Sequence, residues 1–201
     1  MLLRVGLTGG LASGKSVVGR ELQRLGCYLI QADNLGHLVL MPDGEAYAPV
    51  LELFGPAVLD ECKHIDRKKL GAIVFNDPAK LTELNAVVHP AVRRLGDKLI
   101  ATMDADILIY EAAILIETGG YKNFDKLIVA ACPEELQISR AMARDRMDRS
   151  SVTARLKQQL PLSEKVRHAD YVIDTSGTLL QTLERTAEVH RLLTKQEQKQ
   201  T

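Results

Sequence analysis

The segment Gly9-Gly10-Leu11-Ala12-Ser13-Gly14-Lys15-Ser16 fits G-x-x-x-x-G-K-[ST] at every fixed position, and it narrows the folds open to this chain more than any other feature. Its flanks give the pattern its meaning. Leu3, Val5 and Leu7 form a short apolar run before it, and residues 17–25 can form a helix after it. Strand, glycine-rich loop and helix together make a phosphate cradle: glycines let backbone N–H groups turn inward, and the helix N-terminus adds roughly half a positive charge. In such a loop Lys15 reaches the β- and γ-phosphates of a nucleoside triphosphate, and the Ser16 hydroxyl meets the magnesium ion that bridges them. Gly10, Leu11, Ala12, Ser13, Gly14, Lys15, Ser16 and Val17 are therefore the expected triphosphate-binding residues.

A second apolar run, Cys27 to Gln31, follows the helix and completes a βαβ unit. Ligands of open parallel sheets sit beyond the carboxyl ends of the strands, so Asp33 falls beside the phosphate loop. Two roles suit it: a carboxylate facing an acceptor hydroxyl, or the N-cap of a helix beginning near Asn34. From Met41 to Val88 the texture changes to turns and amphipathic helical patterns, an inserted helical lobe. His89-Pro90 marks its far boundary, because a residue before proline is steered from the α region. His89 itself reads either as a packed, hydrogen-bonded histidine or as a ligand. Further apolar strands are expected within Asp106 to Ile116, ending at Glu111, over Leu127 to Ala131 and over Tyr171 to Asp174, with a closing helix from Leu179 to Leu193. Glu111 suits a metal's water shell, a substrate contact or an ordinary buried carboxylate. The order predicts a doubly wound α/β fold with a five-stranded, mainly parallel sheet.

Charge is balanced, with 26 Lys plus Arg against 26 Asp plus Glu, so no global field favours nucleic acid or a membrane surface as a partner. The absence of Trp and the scarcity of aromatics disfavour single-strand stacking platforms. Three cysteines, Cys27, Cys62 and Cys132, without a C-x-x-C pair suggest buried thiols in a reducing compartment. With Met1 leading straight into the first strand and no bilayer-length apolar run, a cytoplasmic location is expected. Positive charge concentrates locally in residues 140–168, where Arg140, Arg144, Arg146, Arg149, Arg155, Lys157, Lys165 and Arg167 face Asp145, Asp148 and Glu164. That run reads as a lid or as a plain basic helix. Arg140 and Arg144, four apart, project from one side and suit a pair of guanidinium groups on a triphosphate.

Taken in order, the pieces resemble the dephospho-coenzyme A kinase family of P-loop kinases. They are Val5 to Gly10 leading into Ser13-Gly14-Lys15-Ser16; Ala32-Asp33 with His37; Asp66-Arg67 with Leu70 and Val74-Phe75; Leu84-Asn85 with His89-Pro90; Leu115 and Glu117; Gln137, Arg140 and Arg144; Gln159; and Ala169 to Asp174 with Gly177. The resemblance implies transfer of the ATP γ-phosphoryl group, with magnesium, to the ribose 3′-hydroxyl of dephospho-coenzyme A. It also implies a core at 1–33, 90–138 and 169–195, an acceptor-binding helical lobe at about 34–89, a lid at about 139–168 and a polar tail at 196–201 expected to fray. Catalytic roles fall on Lys15, Asp33 and Arg140, ATP contacts also on Arg144, and acceptor contacts on Asp33, His37, Arg67, His89 and Glu111. The chain departs from the family pattern at Ala12, Val17, Gln31, Thr175 and Glu111-Ala112-Ala113.

Rival readings are a kinase of the same architecture acting on nucleoside monophosphates, an idle ATP-binding module, a GTPase switch and a nicotinamide-dependent dehydrogenase. The GTPase reading has Asp174-Thr175-Ser176-Gly177 as D-x-x-G, but late in the chain and without N-K-x-D. The dehydrogenase reading lacks G-x-G-x-x-G and leaves Lys15-Ser16 without a use.

Overall fold

A computed structural model describes residues 2–74 and 77–197; Met1, Phe75, Asn76 and residues 198–201 lie outside the described residues. In chain order the elements are β1 (Leu3–Gly9), α1 (Lys15–Arg24), β2 (Tyr28–Gln31), α2 (Ala32–Leu38), α3 (Tyr47–Phe54), α4 (Arg67–Val74), α5 (Pro78–Thr102), β3 (Ile107–Glu111), β4 (Lys126–Ala131), α6 (Glu134–Asp145), α7 (Arg149–Leu156), α8 (Leu162–Arg167), β5 (Tyr171–Asp174) and α9 (Leu179–Glu197). The five strands form one sheet in the order β2-β3-β1-β4-β5. β1 pairs in parallel with both β3 and β4, and β4 with β5. Since β1 lies between β3 and β4, the loop that leaves its carboxyl end opens at the switch point, where a ligand crevice forms.

The chain divides into two compact units, one of Met1–Ile30 with Asp104–Thr201, the other of Gln31–Met103. In the first, Val5, Leu7, Ile109 and Ile128 from the strands pack with Val18 and Leu22 of α1 and Val189 and Leu193 of α9. The largely apolar, buried runs of β1, β3 and β4 suit a parallel sheet with helices packed on its faces. In the second, Val39, Val50, Val58, Ile65, Leu70, Val74 and Ala91 form a separate small core.

Three local expectations are corrected. First, His89-Pro90 does not end a helix: α5 runs through it from Pro78 to Thr102, and the helical unit reaches Met103 rather than ending at residue 89. Proline in a helix interior costs about 3 kcal/mol through one lost hydrogen bond and a clash. However, Ala91 is buried, and Val87, Val88, Val92 and Leu95 pack on the same cluster on both sides of it, each apolar side chain contributing up to about 1.5–3 kcal/mol. Burial outweighs the broken ladder. Second, α2 starts at Ala32 with Gln31 as its N-cap, and Asp33 sits in its first turn, so Asp33 is not the cap. Third, α9 continues to Glu197, so the first residues of the expected tail are helical.

Candidate active site

The phosphate loop is shaped by two glycines whose environment admits no side chain. Gly14 caps α1 at φ 88, a left-handed conformation that glycine takes without strain. A Cβ on Gly10 would lie 2.1 Å from Gln137 Oε1. Gln137 cannot swing away freely, because it is buried and its Nε2 donates to Cys132 O at 3.0 Å. Ser13 N–H donates to Gly10 O at 3.2 Å and closes the turn. Lys15 folds back over the loop, its Nζ donating to Gly9 O at 3.2 Å and Gly10 O at 2.9 Å. That holds the ammonium on the side where the loop opens.

Ser16 Oγ donates to Glu111 Oε1 at 2.8 Å. The parallel register that sets Leu7 beside Glu111 brings the end of β3 level with the start of the loop, and Glu111 is buried there. A hydroxyl and a carboxylate are hard oxygen donors of the kind that suits magnesium, directly or through its waters. The donor set therefore fits the ion that the motif implies.

Thr175, marked in the sequence only as a departure from the family pattern, braces the loop. Its Oγ1 donates to Ser13 O at 2.6 Å across 162 positions, and its Cβ lies 3.2 Å from the place a Gly14 Cβ would occupy. Arg140 on α6 donates to Thr175 O at 2.8 Å, so it joins the loop through Thr175. Arg144 turns elsewhere, its guanidinium bound to Asp145 at 2.7 and 2.9 Å. The two arginines do not converge on one point. Cys132, at the end of β4, is buried, and burial pushes its thiol up from the ordinary range. Cys27 is likewise buried, with its thiol pushed up to about 12, whereas Cys62 is exposed, against the expectation of three buried thiols.

Much of the positive charge of residues 140–168 is neutralised locally. Arg149 pairs with Glu135, Arg155 with Asp145 and Arg167 with Glu164. Lys165 is fully buried, its Nζ 2.7 Å from Glu117 Oε1 and donating to Ala113 O at 2.8 Å. Burial tends to raise the Glu117 carboxyl, but the Lys165 ammonium and the Leu160 N–H outweigh it and hold it below the usual carboxylate range. Glu117→Ala leaves a buried ammonium uncompensated and is expected to lower stability by about 3–5 kcal/mol, read as a shifted urea midpoint at pH 7. Removing Glu164 from its exposed pair should change it by less than about 1 kcal/mol. Because the folded pKa is depressed, the Glu117 contribution is present above its unperturbed value of 4.5 and is lost as pH falls through the lower folded value.

Four of the five expected acceptor contacts lie on the surface of the helical unit, whereas the fifth, Glu111, is buried at the end of β3. Asp33 and His37 are both exposed on α2, one turn apart and so on one face. Arg67, the first residue of α4, is exposed, with Asp66 bonded to the N–H groups of Lys68 and Lys69 at 2.8 and 3.2 Å. His89 is exposed on α5, which removes the reading of it as a packed histidine.

Comparison with known proteins agrees with this loop and sheet. The family model described as Dephospho-CoA kinase matches residues 3–181. A dephospho-CoA kinase of Aquifex aeolicus is 42% identical over 193 residues, covering 96% of this chain and 98% of the relative. Among solved structures, TT1252 from Thermus thermophilus superposes with a TM-score of 0.84 at 32% identity, covering 94% of this chain and 95% of that one. Dephospho-CoA kinase from Campylobacter jejuni superposes at 0.66 with 28% identity, covering 94% and 96%. The match spans both the phosphate loop and the helical unit, and the chain belongs to the dephospho-CoA kinase family.

Proposed function

We propose that this protein transfers the γ-phosphoryl group of ATP to the ribose 3′-hydroxyl of dephospho-coenzyme A, giving coenzyme A and ADP, the last step of coenzyme A synthesis. The observation that carries the reading is the intact phosphate loop within a family match over residues 3–181. Phosphoryl transfer needs little covalent chemistry from the protein; it needs in-line positioning and neutralisation of charge on the transferred group. The loop from Gly10 to Val17 wraps the phosphates, with the N–H groups of Leu11, Ser13 and Val17 bonded within the protein to hold its shape, and the Lys15 ammonium stabilises charge on the β/γ oxygens. Ser16, with Glu111 behind it, would hold a magnesium ion, which would supply neutralisation of the triphosphate charge. Asp33 accepts the proton of the acceptor hydroxyl as its oxygen bonds to the γ-phosphorus and the β,γ-bridging oxygen departs with ADP. Arg140 faces the β/γ oxygens and Arg144 assists it when freed from Asp145. His37, Arg67 and His89 hold the acceptor. A nearly neutral chain with buried Cys27 and Cys132 suits a reducing cytoplasm, and among the described residues no helix is long and apolar enough to cross a membrane.

The test is ADP formation with dephospho-coenzyme A and with nucleoside monophosphates at equal concentration. We expect kcat/KM for dephospho-coenzyme A to exceed that for any monophosphate by about a hundredfold or more, because a site built to hydrogen-bond one acceptor leaves polar groups unpaired with another. Equal rates with AMP would favour the monophosphate-kinase reading instead.

A further inference from the structure

Gln159 lies between α7 and α8, and its side chain reaches the phosphate loop across 148 positions: Oε1 accepts the Leu11 N–H at 3.0 Å. Three other contacts fix the same stretch. Leu11 and Ala12 pack against the buried cluster of Ile138, Ala141 and Val152, with Leu156 of α7 on the same cluster. This packing holds Ala12 at φ 52, a left-handed conformation that disfavours any Cβ. On the far side, Leu160 N–H donates to Glu117 Oε1 at 3.1 Å, and the buried Lys165 holds that carboxylate at 2.7 Å. Leu156, three residues before Gln159, and Leu160, the residue after it, are thus both anchored.

We propose that Gln159 is a positioning residue of the phosphoryl transfer, acting through the Leu11 amide. Its carbonyl oxygen fixes the first turn of the loop and, with it, the docking of α7 on α6 through Ile138, Ala141 and Val152. The proposal rests on the kinase reading above. Chemistry explains the residue type: the Leu11 N–H needs an acceptor, and the site holds a triphosphate. A carboxylate would accept the same bond but set a full negative charge beside the phosphates, whereas the amide accepts it without repulsion. Gln158, its neighbour, is exposed.

Full-length Gln159→Leu and Gln159→Glu variants separate this role from a merely structural one. Without substrates, exchange of the Leu11 amide hydrogen should be about tenfold faster in Gln159→Leu and close to parent in Gln159→Glu, one lost hydrogen bond being worth about that factor. In turnover, Gln159→Leu should lower kcat about tenfold with both KM values within about twofold of parent. Gln159→Glu should keep kcat within about threefold and raise the KM for ATP about tenfold. A kcat for Gln159→Leu within twofold of parent, or an equal fall in Gln159→Glu, overturns the proposal. If the parent protein makes no ADP with dephospho-coenzyme A, the kinase reading falls by itself. The exchange measurement still decides the Gln159–Leu11 contact, and unchanged exchange in Gln159→Leu overturns it.

Discussion

Lys15→Ala is expected to lower kcat/KM for ATP by on the order of a thousandfold or more, with the melting temperature nearly unchanged. The side chain is half-buried over the loop and donates to Gly9 O and Gly10 O, so its charge works in a partly desolvated place. There a cation interacts with developing charge far more strongly than in water. The sheet core beneath the loop does not depend on it, since Val5, Leu7 and Val18 pack without it. Lys15→Arg should recover little, because a planar fork cannot replace a compact ammonium between two carbonyls. Steady-state kinetics of both variants, with thermal melts alongside, checks this; turnover near that of the parent would remove Lys15 from the mechanism.

The second large effect is expected at Asp33. Asp33→Asn should lower kcat by about a hundredfold to ten-thousandfold, the range of a lost general base, and leave the KM for ATP within about twofold. The structure makes this experiment clean. Because Gln31 is the N-cap of α2, with no side-chain cap bond, Asp33 supplies no cap whose loss would confuse the result. Its remaining structural contribution is a favourable charge in the first turn, worth about 0.3–1 kcal/mol. A variant as active as the parent would assign Asp33 to helix electrostatics alone.

What the sequence makes legible here is local. Gly10 to Ser16 and the apolar runs of β1, β3 and β4 each carry their pattern within about ten residues, so motif and periodicity find them. The braces of the loop do not. Thr175 meets Ser13 across 162 positions, Gln159 meets Leu11 across 148, and Ser16 meets Glu111 across 95. No spacing rule links residues so far apart. Gln137 and Gln159 are visible as family motif residues, but their work is visible only when Gly10 and Leu11 are seen against them. Local rules also mislead where burial overrides them. Pro90 signals a boundary by its own chemistry, yet the small core around Ala91 carries α5 past it. The basic run at 140–168 reads as a lid or a plain basic helix, while Lys165 within it is a buried partner of Glu117.

The claim on which the account turns is that the γ-phosphoryl group of ATP ends on a ribose 3′-hydroxyl. Incubating the purified chain with ATP, magnesium and dephospho-coenzyme A and recording the phosphorus NMR spectrum of the product tests it most directly. A new monoester resonance coupled to the ribose H3′ is expected, growing in step with ADP. A product phosphorylated at any other position, or ADP released with no phosphate on the acceptor, would contradict it.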